Sequence, residues 1–121
     1  MGGLSLVPKI ISTGGTPNLK NLGLLNGATE HRSGTSIFND RMMMAAGVAK
    51  IKDCALTVYT SLVSRAENTR GILDAGSKTL TPDKGGLDGF GLVLEHPGAR
   101  IYKIAEEHGF IDISNCENRP L

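Results

Sequence analysis

The stretch KIISTGGTPNLKNLG, residues 9–23, decides how the first third of the chain folds. Ile10 and Ile11 are β-branched, and Pro8 stands near the start of LVPKIIS, where a missing N–H is tolerated, so a strand running to Ser12 is predicted. Thr16 has the chemistry of an N-cap and Pro17 suits the first helical position. Leu19, Leu22 and Leu25 then recur at about one turn, and Gly27 closes the segment. Its asparagines and Gly23 make this a weak helix that needs tertiary support. Between strand and helix, Ser12, Thr13, Gly14 and Gly15 would offer hydroxyls and unobstructed amides to an anion at the helix N-terminus. The same G-G-T-P is what a tight turn and a helix start require, so both readings stay open.

Outward from there, ATEHRSGTSIFND, residues 28–40, predicts a short strand and a second glycine turn, Ser33-Gly34-Thr35, of the same composition. Strand, helix, strand is what the last part of a β/α barrel supplies, and neighbouring barrel strands would set the two turns side by side. After Asp40 the texture changes. From Ala55, Leu56, Val58, Thr60 and Leu62 alternate with Thr57, Tyr59, Ser61 and Val63, which predicts a half-buried strand. RGILDAG, GFGLVLE, ARIYKIA and GFIDIS follow as further strand candidates, separated by Gly, Pro, Asp or Asn. The run Ala99 to Glu107 also scores as a helix, with Ile101, Ile104 and Ala105 on one side, and is assigned to strand. The expected class is α+β, mainly β: residues 1–40 as the end of a barrel and 41–121 as a β-rich domain.

Composition excludes several functions. A chain of 121 residues has room for one modest core, burying roughly 60 to 70% of its unfolded surface. Hydrophobic residues are 40% and charged residues 21%, which is globular, and a net charge of +1 gives no pull toward nucleic acid or acidic membranes. No apolar run of about eighteen residues occurs and the opening MGGLSLVPKI lacks signal-peptide character, which predicts a soluble, cytoplasmic protein. Cys54 and Cys116 fit neither a disulfide framework nor a zinc knuckle, and Cys54, in an apolar run, is expected in the core. Sixteen glycines imply many tight turns.

The blocks STGGTP, ATEHRSGTSIFNDRM, AGVAKIKDCALTVYTSLVSR, GILDAGSKTL, GFG and IAEEHGFIDIS, in this order and spacing, resemble the C-terminal half of the D-threonine aldolase and D-serine dehydratase-like family, pyridoxal phosphate enzymes of the alanine racemase fold type. The resemblance covers nearly the whole chain. It implies an N-terminal barrel that carries the cofactor and a C-terminal β domain that completes the site, often across a dimer interface, so that a homo-oligomer is expected. It implies small D-3-hydroxy amino acids as substrates, and lyase chemistry by retro-aldol cleavage or elimination. An amino-acid racemase of the same fold type and a non-catalytic assembly module are the alternatives.

Carried over residue by residue, the resemblance places Ser12, Gly14, Gly15, Gly34 and Thr35 in turns around the cofactor phosphate. It places Arg32 where an arginine or another polar residue stands. Ser36 occupies a position where a tyrosine is common. Asp74, Ser77 and Lys78, in DAGSK, match a block lying toward the active site, although a strand ending in a charged turn explains them equally. No lysine here falls in the motif that joins the cofactor. The divalent metal pair, His-x-Cys or His-x-Asp, is not found either: residues two beyond His31, His96 and His108 are Ser33, Gly98 and Phe110. The resemblance therefore implies no catalytic residue and no metal ligand in this chain, which alone would be inactive. His108 is read as a structural or solvated residue of a charged turn. If the other barrel strands are missing, Ile10, Ile11, Ile37 and Phe38 should stand exposed and favour association.

Overall fold

The computed structural model describes residues 7–117. Its contacts gather into two compact units, Met1–Leu56 and Thr57–Leu121, so residues 41–56 belong with the first.

In the first unit, β1 (Ser12–Gly14) and β2 (Glu30–Arg32) pair in parallel, with Ser12 opposite Glu30, Thr13 opposite His31 and Gly14 opposite Arg32. The first strand begins where the predicted one was to end, and Leu6 of the quoted motif lies outside the described residues. Thr29 explains the shift: its Oγ1 accepts the Ile11 N–H at 2.9 Å, and the Ile11 carbonyl turns to the Thr29 and Glu30 amides. Ladder pairing starts only after that side chain has intercepted the backbone.

The segment Thr16–Leu24 is a 3-10 helix rather than an α-helix. Pro17, its second residue, lacks an N–H, and Gly23 and the asparagines have low α propensity. Burial does not compensate, since Leu22 is 40% and Leu24 79% exposed. Gly15, at φ 97°, holds the N-cap position predicted for Thr16, which is instead the first helical residue and is buried. Gly27, at φ 84°, ends the turn after the helix.

A second 3-10 turn, Thr35–Ile37, follows β2, and then α1 (Arg41–Ala45), a helix not among the predicted elements. Asp40 caps it, its Oδ1 accepting the Met43 N–H at 2.9 Å, and Met43 is buried. Cys54 is half-buried here rather than a core residue, and Cys116 of the other unit is the buried cysteine. Ile10, Ile11, Ile37 and Phe38 are all exposed, as expected.

The second unit is an antiparallel sheet of β3 (Leu62–Ala66), β4 (Arg70–Leu73), β5 (Arg100–Ile104) and β6 (Gly109–Asp112), in the order β3-β4-β6-β5. ARIYKIA is thus strand and not helix. The core is Leu73, Ala99, Ile101, Ile111, Ile113 and Cys116, with Leu62, Phe90 and Val93 packed partly on it. Each fully buried isoleucine contributes about 1.5–3 kcal/mol.

Two strand expectations fail. Residues 54–61 form no strand, because β4 ends at Leu73 and the backbone bonds beyond it are isolated: the Asp74 N–H donates to the Ser61 carbonyl at 3.2 Å and the Ala55 N–H to the Phe38 carbonyl at 2.8 Å, while the Asp74 carboxylate holds the Thr60 hydroxyl at 2.6 Å and the Ser61 N–H at 2.8 Å. GFGLVLE is irregular as well. Phe90 donates its N–H to the Ile101 carbonyl at 2.9 Å and its ring packs on the core, so the segment covers the sheet instead of joining it.

Candidate functional site

A parallel pair places the loops that follow its two strands at the same end. The turn Gly15–Thr16 and the turn Ser33–Gly34–Thr35 therefore lie side by side, fastened by the Ser36 N–H donating to Thr16 Oγ1 at 3.1 Å and the Gly15 N–H donating to the Arg32 carbonyl at 3.1 Å. In α/β architectures the C-terminal ends of parallel strands are where ligands bind. The amides of Thr16, Gly34 and Thr35 have no hydrogen-bond partner among the described residues, so three donors remain at this end.

The glycines differ in what they answer to. A Cβ at Gly14 would stand 3.1 Å from the Arg32 carbonyl, so any side chain there would press on the β2 backbone. Gly15 needs its positive φ. Gly34 has φ −114° and open space where a Cβ would be, so nothing in the chain itself requires a glycine. An oxyanion resting on its amide would require one, because a side chain would fill that space.

The two faces of the pair have different characters. On one, Ser12, Glu30 and Arg32 are exposed, with Ser12 Oγ donating to Glu30 Oε1 at 2.6 Å and accepting from Arg32 Nε at 2.9 Å. On the other, His31 Nδ1 lies 2.9 Å from Thr13 Oγ1. A pocket of about 200 Å³ on that side is lined by Thr13, His31, Leu22 and Leu25 among others. His31 Nε2 is buried and has no hydrogen-bond partner among the described residues. Sequence reading singled out Ser12, Gly14, Gly15, Arg32, Gly34 and Thr35, and all six come to this pair and its turns. It missed Thr16 and Glu30 as members; the run of charge in Glu30-His31-Arg32, unusual for a strand of three residues, was the available signal.

Asp74, Ser77 and Lys78 belong to the other unit. The Thr60 hydroxyl first, and then the Ser61 N–H, hold the Asp74 carboxyl below its ordinary value. Ser77 and Lys78 donate their amides to the Ala105 and Glu106 carbonyls at 2.8 and 3.1 Å, and Lys78 Nζ pairs with Glu107 and, at 3.6 Å, with Glu106. DAGSK is thereby clasped to the β5–β6 turn. A Cβ at Gly76 would collide with the Ala105 and Glu106 carbonyls and the His108 amide. His108 is exposed in that turn. Among the described residues no three His, Cys, Asp or Glu side chains gather as a metal site requires, and no helix is long and apolar enough to cross a membrane.

Residues 55–121 match the family described as "Putative serine dehydratase domain". Over 113 residues, 84% of this chain, the sequence is 30% identical to D-threo-3-hydroxyaspartate dehydratase of a Delftia strain, spanning 30% of that enzyme. The solved Delftia structure superposes over 90% of this chain and 32% of its own, with TM-score 0.75 and 28% identity. An alanine racemase-like protein from Idiomarina loihiensis gives TM-score 0.75 at 26% identity, over 87% of this chain and 31% of that one. D-threonine aldolase from Filomicrobium marinum gives 0.70 at 25% identity, over 91% and 29%. The chain thus spans about 30% of the length of these relatives.

Proposed function

The chain belongs to the serine dehydratase domain family, and on that premise we propose that it supplies the phosphate-holding turns of a pyridoxal phosphate-dependent lyase acting on D-3-hydroxy amino acids. The observation that carries the reading is the Ser36 N–H to Thr16 Oγ1 bond, which fastens two glycine turns with free amides at one end of a parallel pair. Relatives named as a D-threo-3-hydroxyaspartate dehydratase and a D-threonine aldolase support the substrate class.

Gly34 leaves the room an oxyanion needs, and the Thr16, Gly34 and Thr35 amides donate to it. Gly14 and Gly15 keep the first turn tight against β2, and the Thr35 hydroxyl and the Arg32 charge complete the cradle. The cofactor, when bound, supplies the electron sink for bond cleavage next to the amino carbon. This chain's residues anchor and orient its phosphate end; the lysine that joins it belongs to another part of the site. A donor set for a divalent metal does not form among the described residues. In this reading β1 and β2 are the last strands of a β/α barrel, and the exposed Ile10, Ile37 and Phe38 seat against its remainder or a second copy in a homo-oligomer.

Pyridoxine 5'-phosphate, which has no aldehyde to react with surface lysines, tests the cradle by equilibrium dialysis against the 121-residue chain. Saturable binding displaced by inorganic phosphate and lost in Gly34→Val is expected. Binding unchanged in Gly34→Val, or none at all, contradicts the reading. The likeness to an alanine racemase-like protein favours racemase chemistry as the second reading, in which the same turns hold the same phosphate.

A further inference from the structure

The polar face of the β1–β2 pair carries more organisation than a phosphate turn needs. Side chains alternate along a strand, so Ser12, Glu30 and Arg32 share one face while Thr13 and His31 take the other. A glutamate beside an exposed arginine ordinarily takes the guanidinium end-on, consuming its two-nitrogen fork. Here it does not. Glu30 Oε1 accepts the Ser12 hydroxyl at 2.6 Å, Ser12 Oγ accepts Arg32 Nε at 2.9 Å, and Glu30 stays 3.8 Å from that nitrogen. The guanidinium is gripped by its inner edge, and neither outer nitrogen is engaged by the described residues. Opposite Arg32 the register places Gly14, which has no side chain to cover them.

We propose that Ser12 and Glu30 are positioning residues that brace Arg32 so that its outer nitrogens receive an oxyanion on this face. A rigid two-nitrogen fork fits the planar oxygens of a carboxylate or the edge of a phosphate, and bracing removes side-chain entropy that the ligand would otherwise have to overcome. The inference rests on the cofactor reading above for the identity of the ligand: a substrate carboxylate or the cofactor phosphate. Ser12 is then a hydrogen-bond relay between Glu30 and Arg32 rather than itself a phosphate ligand.

The test uses the whole 121-residue chain, with the Arg32 side-chain N–H resonance and the backbone amides followed by NMR. The probes are inorganic phosphate, pyridoxine 5'-phosphate and malate. Arg32→Lys keeps the charge but loses the fork, and should weaken binding about tenfold. Glu30→Gln and Ser12→Ala should each weaken it roughly threefold to tenfold, and speed solvent exchange of the Arg32 Nε proton while Thr13 and His31 amides hold their positions. Binding of the phosphates alone assigns the fork to the cofactor; binding of malate as well assigns it to a substrate carboxylate. Arg32→Lys with unchanged affinities overturns the proposal, and so do Glu30→Gln and Ser12→Ala that match the unaltered chain. Equal binding of pyridoxine 5'-phosphate by all three variants removes the brace and leaves the cradle standing. Malate held through Arg32 with no binding of pyridoxine 5'-phosphate removes the cradle and leaves the brace. No binding of any probe overturns both.

Discussion

Ser36 gives its backbone N–H to the hydroxyl oxygen of Thr16, 20 residues earlier, at 3.1 Å, and the acceptor is 5% exposed. One buried hydroxyl thus ties the turn after β2 to the turn after β1. Thr16→Val keeps the shape and removes the acceptor, leaving a part-buried amide unpaired. The expected loss is about 1–2 kcal/mol. Thr16→Ser should recover most of it. Hydrogen exchange at the Ser36 amide reads the effect directly, and an unaltered rate in Thr16→Val would break the link between the turns.

Gly76→Ala tests how DAGSK is held. The added methyl has only the backbone of the β5–β6 turn to push against, and backbone does not yield as a side-chain tip would. A cost of roughly 1–3 kcal/mol is expected, with the melting transition of the β unit lowered. An unchanged transition would mean that the turn moves freely.

Asp74 should give the β unit a stability that falls in acid. Its folded carboxyl is held below the ordinary value, first by the Thr60 hydroxyl and then by the Ser61 N–H. A depressed folded value means stability complete above the unfolded value, about pH 4, and lost as pH falls through the folded one. Because the carboxylate is exposed, the change is small. Asp74→Asn should reduce that slope in denaturant titrations between neutral pH and pH 2; a slope identical to the unaltered chain's would assign acid sensitivity to Asp88 and Asp112, whose carboxyls are also lowered, by Arg100 and by Ser114.

Ile37 and Phe38 are 74% and 52% exposed. Replacing both with serine should leave the circular dichroism unchanged and shift light scattering toward smaller species. An unchanged size distribution would move association elsewhere.

The parts legible in the sequence were those where side-chain pattern and backbone pairing agree. RGIL, RIYKI and GFID form strands because each finds a neighbour across the register, with burial alternating at Gly71 and Leu73 and at Gly109 and Ile111. ALTVYTS alternates in residue type and forms no strand, since alternation cannot say whether a paired ladder continues opposite. Thr16 has the chemistry of an N-cap, yet a contact 20 residues away recruits its hydroxyl. The short α1 helix was not legible, because five residues make too few turns to show a helical period; Asp40 caps it through the Met43 N–H. At the candidate site the glycines were legible as turn residues, although only Gly15 takes the positive φ that a turn demands. The Glu30–Ser12–Arg32 relay was not, because it depends on strand register.

The central claim is that the two glycine turns form one oxyanion cradle, and amide chemical-shift mapping with inorganic phosphate tests it most directly. Saturable shifts converging on Thr16, Gly34 and Thr35 with a single affinity are the predicted result. Shifts scattered over surface lysines, or confined to one turn with the other silent, would contradict it.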